Sequence, residues 1–362
     1  MPNLYAVVMA GGSGTRFWPA SRRHRPKQLL AIGPDTNQSL IASTVRRIEP
    51  LCPPERTLIA TGEHLLDATR RALPWLPSDS FLGEPLARNT AACIGWASAL
   101  VRRRDPDAMV MVLPSDHHVT ETAAYVAALS RAVDAAKGGI ITTIGVEPTR
   151  PETGYGYIEK GERVAAGVHR VAGFVEKPDR SRAEAYLGSG RYLWNSGMFF
   201  FSVATMLDAI ARHMSPLHEG LCRIEAASAD GAEHESAVTR EVFEKLPAVS
   251  IDYGVMEKED TLNVVPASFG WSDLGSWQTA WDLSERDEAG NAVDPNCLVL
   301  DGRNNLVRGL RSGSERVVVV VGVDDLCVID TDDAVLVIPR ERAQDVRLAV
   351  DALRQQGQSD KL

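Results

Sequence analysis

Lys27 lies near the end of a stretch, Met9 to Leu30, that reads MAGGSGTRFWPASRRHRPKQLL and carries five formal positive charges between Arg16 and Lys27. With 48 Asp and Glu in 362 residues, the first thirty-four positions would carry about four or five acids at average usage. They carry none, and the first acid is Asp35. Gly11, Gly12 and Gly14 follow an apolar run, where glycine lets the backbone take positive φ and turn its amides toward one point. Such amides, with Arg16 and Lys27 beside them, suit the oxygens of a small polyanion such as a triphosphate. The motif is not a P-loop, because GxxxxGK[ST] is absent, and Phe17 stands where a dinucleotide fingerprint needs its third glycine. A merely structural glycine turn and a solvated basic face are the competing readings.

Carboxylates of a suitable kind occur much further along. Asp116, in LPSDHHV, ends a very apolar run, and Asp273 stands in the Gly/Ser/Trp-rich FGWSDLGSW. A hard ion such as Mg²⁺ takes few protein carboxylates and keeps positions for phosphate oxygens, so either aspartate suits it. The bland alternatives are a turn or N-cap aspartate at Asp116, and a helix N-terminal acid at Asp273 with Trp271 and Trp277 as core aromatics. A binuclear phosphoesterase using DHH would need further acids near the N-terminus, where there are none. Glu176 and Lys177, in FVEKP, are either a sugar-hydroxyl acceptor with a phosphate cation or an exposed pair before a turn proline.

The elements that must position these residues follow an alternating pattern. YAVVMA, TLIAT and AMVMVLP read as strands, and EHLLDATRRAL and NTAACIGWASALVRRR as helices, up to about Lys137. Asn89 or Thr90 is the expected N-cap of the second helix, and Arg102 to Arg104 suit its C-terminus. This predicts an α/β, doubly wound (Rossmann-like) mixed sheet, with ligands at the carboxyl ends of its strands near Gly11–Arg16 and Ser115–His118. From Gly154 to about Leu283 the spacing loosens into HRVAGFVEK, GMFFFS and LNVVPAS, expected as a substrate-binding insertion on the same sheet. Past RDEAGNAVDPN, short Val-rich strands every six to nine residues predict a small C-terminal β-domain, short and β-helix-like, closed by a helix near 343–355. The expected domains are therefore 1–285 and 290–362.

A net charge of −9 argues against nucleic-acid binding, since the basic cluster is local. No apolar run approaches the roughly twenty residues of a membrane span, and LYAVVMA lacks the flanks of a signal segment. Five scattered cysteines without a CxxC pair suit a reducing cytoplasm. The β-domain offers more apolar surface than about seventy residues readily bury, so self-association as a homodimer is expected.

Taken in order, AGGSGTRFWPASRRHRPKQ, GEPLARNTAA, LPSDHHV, RPETGYGYIEKG, FVEKPD, YLWNSGMFFF, SIDYGVMEK and FGWSDLGSW resemble the mannose-1-phosphate guanylyltransferases among the sugar nucleotidylyltransferases. The C-terminal DLCVIDTDDAVLVIP resembles that family's β-domain. The glycine loop is common to all sugar nucleotidylyltransferases, whereas RPKQ, ARNTAA, WNSGMF and SIDYGVMEK point to the guanylyl branch. Phe17 departs from the more usual Leu, with no functional consequence expected. The resemblance implies transfer of GMP from GTP to mannose 1-phosphate, giving GDP-mannose, with Mg²⁺ or another divalent cation.

By the same resemblance, Gly11, Gly12, Gly14, Thr15, Arg16, Glu84, Asn89, Thr90 and Ser115 bind nucleotide. Gly156, Glu176, Lys177 and Asn195 bind sugar phosphate, Asp116 and Asp273 hold the metal, and Arg16 and Lys27 join them in catalysis. A relative using another base or hexose, and a catalytically silent nucleotide-sugar sensor, are the alternatives. Longer bifunctional relatives add a cupin-like isomerase domain; the chain ends before one would fit, so isomerase activity is not expected.

Overall fold

A computed structural model describes residues 3–12, 14–33, 38–311, 313 and 316–362. They pack as two compact units: Met1–Gly11 with Val45–Ser115 and Val119–Trp271, and Gly12–Thr44 with Asp116–His118 and Ser272–Leu362.

The first unit is built on a nine-stranded mixed sheet. Leu4–Met9 lies between Thr57–Gly62 and Met109–Pro114 and is parallel to both; Phe81–Glu84 continues the parallel edge beyond Thr57–Gly62. These runs are buried almost throughout, as strands covered on both faces must be. Tyr192–Ser202 then pairs antiparallel with Met109–Pro114 and with Thr142–Val146, and Asn263–Ala267 and the hairpin Tyr157–Ala165/Val168–Val175 complete the sheet. The late segments thus extend the same sheet, as the loosened spacing predicts.

Helix Asn89–Arg104 buries Ala91, Ala92, Gly95, Ala97 and Ser98. Small residues are needed there: a Cβ at Gly95 would lie 3.2 Å from both Ile210 and Leu221, on helices Val203–His213 and Ser215–Ala227. The helix covers the residues that the 3.6 periodicity marks, and it ends on Arg102–Arg104 as expected. Its start differs from expectation. Residue Arg88, not Asn89 or Thr90, occupies the N-cap position, without a side-chain cap, because the 84–90 loop is held by other bonds described below.

In the second unit, Ala292–Val293, Leu306–Gly309 and Leu326–Asp330 stack in parallel, with Val335–Pro339 antiparallel at the end. Cys297–Leu300 and Val318–Val321 form a second parallel pair. This is the β-helix-like stacking that the spacing suggests, followed by helix Val346–Gln355. Buried Asn305 ties its turns: Nδ2 donates to the Val323 carbonyl at 2.9 Å, and Oδ1 accepts from the Leu326 amide at 3.0 Å.

One core in this unit joins distant parts of the chain. Phe17, Trp18, Leu30 and Trp277 pack with Leu306, Cys327, Ile329, Val346 and Val350. Trp18 Nε1 donates to the Lys361 carbonyl at 2.8 Å, and Arg22 pairs with Asp333 at 2.7 Å. The basic glycine-loop stretch is therefore seated on the small β-domain. No helix among the described residues is long and apolar enough to cross a membrane.

Candidate active site

In the second unit the site is organised around Lys27. Its side chain is almost fully buried, and Nζ donates to Asp116 Oδ2 at 2.8 Å and to the backbone carbonyl of Asp273 at 2.6 Å. An ammonium withdrawn from water is tolerable only when so paired. Burial alone would raise the Asp116 carboxyl; the charges of Lys27 and His117 outweigh this and hold it below its ordinary range. Three residues drawn from positions 27, 116 and 273 thus meet at one ammonium.

Local geometry explains several neighbours. Gly14 takes φ +59°, and a Cβ there would lie 2.7 Å from both Cβ and N of Lys27. Only glycine suits both demands. Gly12 is also left-handed, at φ +103°, while Thr15–Phe17 forms a short 3₁₀ turn that leaves Arg16 exposed. Helix Trp277–Leu283 is capped by Ser276, whose side chain accepts from the Thr279 amide, so Asp273 does not serve as its cap. A Cβ at Gly275 would sit 3.0 and 3.1 Å from the two Asp273 carboxyl oxygens and 3.4 Å from Arg16 Nη1. Glycine therefore leaves room between that carboxylate and that guanidinium. Trp277 is core, as the bland reading of its segment has it, with its ring edge-to-face on Phe17 at 4.9 Å.

Two groups of residues assigned from sequence lie in the first unit. Gly11, exposed, follows the first strand, and Ser115, buried, donates its amide to the Met9 carbonyl at 3.1 Å. Glu84 ends strand Phe81–Glu84 beside Cys93; burial pushes its carboxyl up to about 7, and Oε1 has no hydrogen-bond partner among the described residues. Asn89, at φ +63°, accepts the Thr90 amide at 2.8 Å, and Thr90 Oγ1 accepts the Ile251 amide at 2.8 Å.

The other group surrounds Asn195. Its Oδ1 accepts the Gly197 amide at 3.0 Å, and its Nδ2 donates to Asp252 Oδ1 at 2.9 Å, which fixes the amide's orientation. Glu176 Oε2 comes so close to Gly156 that a Cβ there would collide with it. Lys177, at φ +46°, folds back to pair with Glu176 at 3.0 Å while remaining largely exposed. Burial first, then the charge of Glu176, pushes the Asp252 carboxyl up to about 6. Asp252 is a candidate that residue-by-residue reading passes over. Its signal is an acid inside the apolar SIDYGVMEK, one of the quoted segments.

An α/β mixed sheet followed in the chain by a β-helix-like domain is the architecture of a nucleotidyl transferase. A family model described as nucleotidyl transferase matches residues 5–290, and one described as a mannose-phosphate isomerase/GMP-like β-helix domain matches 295–353. Mannose-1-phosphate guanylyltransferase of Klebsiella pneumoniae is 38% identical over 99% of this chain and 75% of that protein. Xanthan biosynthesis protein XanB of Xanthomonas campestris pv. campestris is 39% identical over the same shares. The crystal structure of mannose-1-phosphate geranyltransferase from Thermus thermophilus aligns with TM-score 0.86 at 38% identity, over 97% of this chain and 99% of that one. The chain belongs to the nucleotidyl transferase family, on the branch of the mannose-1-phosphate guanylyltransferases.

The raised carboxyl of Asp252 has a stability consequence with a definite sign. Its unfolded value is about 4, so the penalty is absent below pH ~4, develops as pH rises, and is complete above pH ~6. Asp252→Asn keeps an acceptor for Asn195 and removes the charge. The variant is expected to be more stable than the parent at pH 7.5, by roughly 1–3 kcal/mol in chemical denaturation, with the gap closing toward pH 4. A variant less stable at pH 7.5 would contradict this.

Proposed function

We propose that the chain transfers GMP from GTP to mannose 1-phosphate, giving GDP-mannose and pyrophosphate. The observation that carries this reading is the buried Lys27 ammonium, held by Asp116 and the Asp273 carbonyl on a carboxylate-free, glycine-led stretch, in a chain of this family. An oxygen of mannose 1-phosphate attacks the α-phosphorus in line. The new P–O bond forms as the bond to the β-phosphate bridging oxygen breaks, and the electron pair leaves with pyrophosphate. The attacking oxygen is already anionic near neutral pH, so no general base is needed. The barrier lies in bringing two anions together, which positioning and cations lower.

In this reading the amides of Gly11, Gly12 and Gly14, with Thr15, Ser115 and Arg16, hold the triphosphate, and Lys27 stabilises charge on it. Glu84, Asn89 and Thr90 would lie near the base. Gly156, Glu176, Lys177, Asn195 and Asp252 hold the sugar phosphate. Residues 1–285 would form the catalytic domain and 290–362 the small β-domain, in a cytoplasmic enzyme.

Asp116 and Asp273 would hold a divalent cation. Two hard carboxylates are the kind of donor that suits an ion completing its shell with phosphate oxygens. When bound, the ion would supply further positive charge to the phosphates.

Self-association has its own support. Leu298, Leu300, Val319 and Val321 are exposed on one face of the Cys297–Leu300/Val318–Val321 pair, while Val299, Val318 and Val320 pack behind. We infer a homodimer through this face. Light scattering is expected to give a dimer for the parent and a monomer for Val319→Asp/Val321→Asp; a monomeric parent, or a variant still dimeric, would overturn the assignment.

Pyrophosphate release from a panel of nucleoside triphosphates and hexose 1-phosphates tests the activity itself. GTP with mannose 1-phosphate and Mg²⁺ is expected to give the highest kcat/KM, lost on chelation and regained with Mg²⁺. Equal or better turnover with UTP, dTTP or glucose 1-phosphate would displace the substrate assignment.

A further inference from the structure

The loop assigned to the nucleotide and the segment carrying Asp252 are tied by a set of hydrogen bonds. Ala91, in the first turn of its helix, donates its amide to the Val249 carbonyl at 3.2 Å, and the Ile251 amide donates to Thr90 Oγ1 at 2.8 Å. Arg88 reinforces the tie by donating to the carbonyls of Phe243 and Glu244, at the end of helix Ala232–Lys245. The helix start thus spends a free first-turn amide on this segment. Both bonds lie just before Asp252, which itself receives Asn195 Nδ2.

Packing around the segment is incomplete. Beside it lies a cavity of about 190 Å³, lined by Met214, Leu217, Leu246, Pro247, Val249 and Gly254 among others. Ile251, Val255 and Met256 of the segment are nevertheless buried in the core of this unit. Hydrogen bonds add to that anchoring: the Asp252 carboxylate receives Asn195 Nδ2, and the amide just before it is held by the Thr90 hydroxyl.

We propose that Thr90 is a positioning residue for the sugar phosphate: by holding the Ile251 amide it sets the Asp252 carboxylate, and so couples the nucleotide loop to the sugar-phosphate subsite. This rests on the functional reading above. Coupling of this kind is reciprocal, so nucleotide held by the 84–90 loop strengthens sugar-phosphate binding by steadying Ile251.

Steady-state kinetics of the full chain test this, with parent activity measured first. An inactive parent would sink the functional reading itself, whereas an active parent isolates the role of Thr90. Thr90→Val keeps the shape and removes the acceptor; it is expected to raise KM for mannose 1-phosphate about tenfold, the loss of one hydrogen bond to a buried amide. Thr90→Ser, which retains the hydroxyl, is expected to restore the parent KM. Should Thr90→Val fold poorly, Thr90→Ala gives the same readout without added bulk. A KM increase confined to GTP, unchanged KM values, or Thr90→Ser as impaired as Thr90→Val would each overturn the proposal.

Discussion

A buried ammonium is the constraint on which the second unit depends. Removing Lys27 from water costs several kcal/mol unless charge and hydrogen bonds replace the solvent, and here one carboxylate oxygen and one carbonyl do so. The surroundings follow from that need. Gly14 is glycine because the backbone passes too close to Lys27 for a Cβ. Phe17 and Trp18 anchor the turn in the core shared with the β-domain, and the Nζ of Lys27 stands 5.7 Å from the Phe17 ring. Ser276 relieves Asp273 of capping duty. The β-domain thereby supports the glycine-loop stretch directly, in addition to offering an exposed apolar face.

The absence of acids from the first thirty-four residues acquires a more specific meaning. An acid within the stretch would compete for the buried ammonium or cancel the exposed charge of Arg16. The carboxylate that Lys27 does use comes from Asp116, eighty-nine positions away. In the first unit the opposite electrostatics hold, with Glu176 and Asp252 close enough to raise the Asp252 carboxyl. Such a pair is costly for stability.

Much of this was legible because it is local. Val-rich and Met-rich runs buried on both faces announce strands such as Met109–Pro114, and small residues spaced along NTAACIGWASALVRRR mark the helix to its last arginine. The turn at Gly12 and Gly14 could be read from the glycines, both of which take positive φ. Long-range pairings were not legible. Nothing in FWPAS says that Phe17 and Trp18 join Ile329 and Val346 in one core, nor does NTAA show that Thr90 turns its hydroxyl to Ile251 instead of capping its own helix. Asp252 escaped because a lone acid among apolar residues has no periodic signature, and its role depends on Asn195 and Glu176 arriving from elsewhere in the chain.

The central claim is that Lys27 and Asp116 act as one unit, with the carboxylate holding a cation that works on the transferring phosphates. A double-mutant cycle on kcat for GDP-mannose formation measures this most directly, using Lys27→Met, Asp116→Asn and the pair combined, with thermal unfolding recorded alongside. Each single change is expected to lower kcat by about 100-fold or more, and the combined variant to be little worse than the poorer single, because both remove the same interaction. Folded single variants with near-parental kcat, or losses that simply multiply, would contradict the account.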